Sequence, residues 1–172
     1  MDSATVNRLK AQGVDPALIY KVDVPGFTAA EQSMGVVGED GYGVSYTSAD
    51  FPGQTVHLRV DHGTFGERDC ALPIFEGGPT ASIVCTGDGE GWYRKGGGRH
   101  EYVLPVADHL LRLNAPDTAL DHSALRASLT NAQPLIEAPA TPTPTEPVPS
   151  VTRGDLPSIG DGAPLDPPPA GG

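Results

Sequence analysis

The stretch IVCTGDGEGWYRKGGGRHEYVLPVADHLLRLNAP, residues 83–116, decides the fold. Asp88-Gly89 separates two short runs rich in β-forming residues. Asp-Gly in that setting marks a hairpin, because such turns need positive φ. Gly96-Gly97-Gly98 marks a second turn, and His100–Val106 and His109–Leu113 read as two more strands. Working outward, Met34–Thr47 repeats the pattern around Glu39-Asp40-Gly41, with Tyr42, Val44 and Tyr46 alternating with small or polar residues. Val56, Leu58 and Val60 alternate with His57, Arg59 and Asp61, and Tyr20, Val22 and Val24 alternate with Lys21 and Asp23. Alternation of this kind describes half-buried strands. The chain is therefore expected to be mainly β, a small antiparallel sandwich or barrel-like sheet of about eight short strands.

Helical signals lie at the two ends of this region. Residues 4–12 suit a short helix closed by Gly13. Asp117 or Asp121 can cap a C-terminal helix running to about Ala132, with Leu125, Leu129 and Ala132 on one face. From Glu137 to Gly172 the chain holds 10 prolines in 36 residues and neither aromatic nor cysteine. Such a composition cannot offset the entropy of ordering. The expected organisation is a short N-terminal segment (1–13), a β-rich domain (14–136) and a disordered proline-rich tail (137–172). The tail has PxxP spacings at Pro139/Pro142 and Pro144/Pro147, which favour polyproline II.

Charge narrows the function classes. The 172 residues carry 11 Lys+Arg against 22 Asp+Glu, a formal net charge of -11. A nucleic-acid partner calls for a basic patch, and the densest basic cluster is Arg94, Lys95, Arg99 with His100, so no nucleic acid is expected. No apolar run approaches the length of a membrane span. The opening MDSATVNRLKAQGVD has charges throughout and lacks the apolar region of a signal peptide. Read literally, the chain stays in the cytoplasm; an extracytoplasmic location requires an export segment upstream.

Cys70 and Cys85 are the two cysteines, and their spacing permits a disulfide that would tether the Gly/Pro-rich loop 71–80. A bridge implies an oxidising compartment. A zinc set of Cys70, Cys85, His57 and His62 lacks close ligand spacing, and no metal or cofactor is expected. The acids of residues 87–91, GDGEG, are too few for a calcium loop and suit a hairpin turn. Nucleophile–base pairs such as Cys70 with His62 and Asp61, or Ser48 with His57, lack any supporting motif. His57, Arg59 and Asp61 read instead as the solvated face of a strand. No catalytic residue is assigned, and the chain is read as not an enzyme.

The most distinctive cluster is Trp92, Tyr93, Arg94, His100 and Tyr102. The glycine turn makes these cross-strand neighbours, and aromatics beside Arg and His suit a binding face. The run GWYRKGGGRHEYVLPVADHLLRLNAP followed by DHSALRASL resembles uncharacterised actinobacterial proteins, over about residues 41–130. The resemblance implies an extracytoplasmic β-rich domain behind an N-terminal anchor, which this chain does not show. The function expected is a non-enzymatic binding module at the cell envelope, acting on a protein partner or an envelope component. The alternative is a cytoplasmic accessory protein acting through a protein partner.

Overall fold

Two meanders meet along one pair of strands. The computed structural model of the chain describes residues 1–74 and 83–135. The chain opens with α1 (Ser3–Ala11), where the Asp2 side chain accepts from the Thr5 amide at 2.8 Å. Gly13 closes it at φ 96°. Next come β1 (Tyr20–Lys21), β2 (Thr28–Ala29), β3 (Gly35–Val37), β4 (Gly41–Thr47) and β5 (Thr55–His62). Residues 63–74 then cross the sheet with one 3-10 turn, Glu67–Ala71. The second half is β6 (Val84–Asp88), β7 (Gly91–Gly96), β8 (Arg99–Val106), β9 (His109–Pro116), α2 (His122–Thr130) and β10 (Gln133–Pro134).

Eight strands form one antiparallel sheet in the order β2-β4-β5-β9-β8-β7-β6, with β3 added to β4. The seam is β5 on β9. A separate ribbon pairs β1 with β10. The mainly β, antiparallel expectation holds, as do both helices, and Asp121 is the cap of α2. The strand expected through Tyr20, Val22 and Val24 shrinks to Tyr20–Lys21. Its alternation survives as burial, because Val22 and Val24 remain in the core.

One sheet face is apolar. Tyr42, Val44, Val56, Leu58, Leu111 and Leu113 pack in a single cluster with Leu9 and Leu18 from the N-terminal region and Leu125 and Leu129 from α2. Removing one such side chain, as in Leu125→Ala, costs about 2–5 kcal/mol. The opposite face carries charge and is crossed by residues 63–74.

Gly97 and Gly98 have φ 61° and 76°, the pair of positive values a two-residue type I′ turn requires. In the first hairpin the positive φ falls on Gly38 (66°), not within Asp40-Gly41. Gly41 begins β4, where a Cβ would meet the Val37 and Val60 carbonyl oxygens at 2.7 and 2.8 Å. That glycine is required by close packing, not by the turn. Part of the loop 71–80 and the whole proline-rich tail lie outside the described residues.

Candidate functional site

Alternation along β7 and β8 places Arg94 opposite Glu101 on the charged face. Arg94 is fully buried and donates from Nη1 to Glu101 Oε2 at 2.6 Å. Its Nη2 donates to the carbonyl oxygens of Cys70, at 3.4 Å, and Leu72. The same segment is fixed covalently by the Cys70–Cys85 disulfide, with Cα atoms 5.6 Å apart. Phe65 completes the attachment. Its ring lies 5.4 Å from the Arg94 guanidinium, 5.6 Å from that of Arg112 and 5.9 Å from the Trp92 ring. Cation–π contacts of this kind gain strength when water is excluded. A short loop with little apolar surface of its own is thus held to the sheet by one covalent bond, one buried cation and one aromatic ring.

Between this segment, the β3–β4 turn and the sheet lies a cleft of about 410 Å³. Arg59 and Arg112 line it, with Asp61, Phe65, Leu72 and Leu110. Arg59 on β5 is directly opposite Arg112 on β9. Like charges in register oppose pairing. Two carboxylates offset the charge: Arg59 Nε donates to Asp61 Oδ2 at 2.6 Å, and Glu101 Oε1 lies 3.9 Å from Arg112 Nε. Burial raises the Glu101 carboxyl above its ordinary value, against the opposing pull of the Arg112 and Arg94 guanidinium groups. Among the described residues neither Arg94 Nε nor Arg112 Nε, both buried, has a hydrogen-bond partner.

One rim of the cleft carries the opposite charge. His62 Nε2 lies 3.2 Å from Asp15 Oδ2 and 3.9 Å from Asp40 Oδ2, and Nδ1 lies 3.6 Å from Asp108 Oδ2. The hydrogen bond with Asp15, aided by Asp40 and Asp108, raises the imidazole above its ordinary value. Asp15, Asp40 and His62 offer donor atoms within 4.8 Å of one another, the residue types a divalent cation uses.

The five residues of the aromatic cluster divide between the two faces. Trp92 and Arg94 join the charged network. Tyr93, His100 and Tyr102 point to the core face, where Tyr93 Oη lies 3.0 Å from His100 Nδ1 and stacks on His122 with centroids 3.9 Å apart. His122 Nε2 meets Asp88 Oδ2 at 2.8 Å, Arg126 Nη1 donates to Asp88 Oδ1 at 3.1 Å, and Tyr102 donates to the Asp88 carbonyl at 2.7 Å. This second set ties α2 to the β6–β7 turn. Burial lowers His100 to about 4, so it is neutral near pH 7.

Other sequence candidates fall into place. Cys70 is bridged, which removes it both as a nucleophile and from the zinc set. His57 meets Ser45, at 3.0 Å, in place of Ser48, and burial lowers its basicity. Residues 88–91 make a hairpin turn. Arg59 and Asp61, read from the sequence as a solvated strand face, line the cleft. Arg112 and Phe65 carried no sequence signal, and His62, a candidate in the sequence, meets Asp15 and Asp40 only through the fold, since the three come from distant segments.

A more apolar hollow of about 350 Å³ is lined by Phe27, Met34, Tyr42 and Tyr46 near β1. Two of its polar contacts are internal: Tyr46 donates to the Val22 carbonyl at 3.1 Å, and Lys21 pairs with Asp23 at 3.6 Å. The arginine-lined cleft has the stronger means of selecting a ligand. No protein family, curated protein or solved structure matches this chain.

Proposed function

We propose that the domain is a non-enzymatic binding module of the cell envelope, and that the arginine cleft takes its ligand, a short peptide with a free carboxylate and an apolar side chain. The observation that carries this reading is the pair Arg59 and Arg112, directly opposed on β5 and β9 and both lining the cleft. A carboxylate between them would add charge-assisted hydrogen bonds. Phe65, Leu72 and Leu110 supply apolar wall, and Asp40 and His62 supply a polar rim. The volume falls within the range of ligand pockets. The site is preorganised, because the disulfide, Arg94 and Phe65 fix its cover before any ligand arrives.

The disulfide supports the envelope over the cytoplasm, since such bonds persist in oxidising compartments. It agrees with the extracytoplasmic character that the sequence resemblance implies. Calorimetric titration with the tripeptide Ala-Ala-Phe, as free acid and as C-terminal amide, tests the reading. The acid is expected to bind at least tenfold more tightly than the amide, and Arg112→Gln to remove that preference, as a lost hydrogen bond to a charged group implies. Equal affinity for acid and amide, or no binding of either, would overturn it.

A further inference from the structure

The hollow near β1 lies on the apolar side of the sheet, away from the arginine cleft. Tyr42 and Tyr46 stand four residues apart on β4, so both side chains share the core face. The chain between Tyr20 and Met34 adds Val22, Val24, Phe27 and Met34, all buried, to the lining. These walls are already fixed. The Phe27 ring stacks on Phe51 with centroids 5.7 Å apart, Arg8 Nη1 donates to the Met34 carbonyl at 3.1 Å, and Tyr46 is held by its bond to the Val22 carbonyl.

Tyr42 differs from these neighbours. It is 1 % exposed, and among the described residues its hydroxyl has no hydrogen-bond partner. That oxygen is not sealed from solvent either, so the little of Tyr42 that stays open includes it. Since Tyr42 lines the hollow, the hydroxyl opens there. A hydroxyl withdrawn from bulk water without a partner is costly, and a ligand that accepts its proton removes that cost. Burial pushes the phenol up to about 12, so near neutral pH it is a donor. Charge limits the ligand further. Lys21 is the one basic side chain among the described residues of the lining, and it pairs with Asp23 at 3.6 Å, while Glu31 adds a negative charge. An anion is disfavoured there. Phe27, Met34 and Tyr46 suit an aromatic body, through ring packing and sulfur–ring contact.

We propose that this hollow is a second binding site, which takes a neutral aromatic molecule carrying one acceptor oxygen and places that oxygen on the Tyr42 hydroxyl. The volume of about 350 Å³ is within the range of small-molecule pockets. The site is independent of the arginine cleft and of what that cleft binds.

Two probes of matched shape test it: 2-acetylnaphthalene, which has the acceptor oxygen, and 2-isopropenylnaphthalene, which has a methylene group in its place. Each is titrated into the ¹⁵N-labelled full chain, as wild type and as Tyr42→Phe, and followed by amide shifts. Both probes should give saturable shifts at Val22, Phe27, Met34 and Tyr46. Tyr42→Phe should weaken the ketone about three- to tenfold, as loss of one neutral hydrogen bond implies, and leave the hydrocarbon within twofold. Without ligand, Tyr42→Phe should not lower the urea midpoint, because no hydrogen bond within the protein is lost, whereas Tyr46→Phe should lower it. Absence of saturable shifts at the hollow with the ketone would mean that it holds water only and would overturn the proposal. So would an equal loss of affinity for both probes, an unchanged ketone affinity in Tyr42→Phe, or a urea midpoint that falls in Tyr42→Phe as far as in Tyr46→Phe.

Discussion

Glu101→Gln should be among the most damaging single substitutions in the domain. Glu101 is 2 % exposed and sits between Arg94, at 2.6 Å, and Arg112, at 3.9 Å. The amide keeps the shape and removes the charge, leaving Arg94 buried without its counter-ion. Breaking one side of a buried pair costs about 3–5 kcal/mol. That is from about a fifth to the whole of the roughly 5–15 kcal/mol that stabilises a typical domain. Urea unfolding should show the midpoint falling with an unchanged slope, and the melting temperature should drop by on the order of 10–20 °C. The pair Arg94→Met with Glu101→Leu should recover most of this loss, because an apolar replacement leaves no stranded charge. The double variant should nevertheless expose the Cys70 and Leu72 carbonyls to faster local opening, since Arg94 no longer holds them. A loss below about 1 kcal/mol in Glu101→Gln would refute the view that this ion pair anchors the cover of the cleft.

Replacing Cys70 and Cys85 together by serine should cost about 3 kcal/mol, the chain-entropy value for the separation of 15 residues, as read by urea unfolding. Protein isolated without reductant should resist alkylation at both positions until reduced. His100 gives a signature in pH. Its folded value of about 4 lies below the ordinary 6.5, so the unfolded chain takes up the extra proton between them. The stability it contributes is complete above pH 6.5 and is lost as pH falls toward 4, on the order of 3 kcal/mol in all, and His100→Gln should flatten that part of the profile. His62 works in the opposite sense: its raised value makes its contribution complete below pH 6.5 and lost as pH rises. Ala107 sits at φ 52° in the β8–β9 turn, so Ala107→Gly should stabilise the domain by up to about 1 kcal/mol, read as a higher melting midpoint.

Much of the fold was legible because strands and hairpins are written locally. The alternation of Val56, Leu58 and Val60, or the pair Gly97-Gly98, carries its meaning within a few residues. The positive φ of the first hairpin was misplaced for a local reason too, since Gly38 and Gly41 both stand at the turn and only three-dimensional crowding shows which is needed for space. Period-two alternation also explains the division of the aromatic cluster. Trp92 and Arg94 differ in parity from Tyr93, so cross-strand neighbours could not all share one face. The cleft was out of reach for a different reason. Arg59 and Arg112 are brought together by the β5–β9 register, across 53 positions of chain, and Phe65 arrives from a segment with no periodic signal. Long-range register is set by the whole hydrophobic pattern, and no short motif encodes it.

The most direct test of the account is an amide-shift map of the ¹⁵N-labelled domain titrated with Ala-Ala-Phe. The account predicts saturable shifts concentrated at Arg59, Phe65 and Arg112 and at the adjoining backbone of β5 and β9, abolished in Arg112→Gln while the rest of the spectrum is kept. Shifts centred instead on Tyr93, His100 and His122, or scattered without saturation, would contradict it.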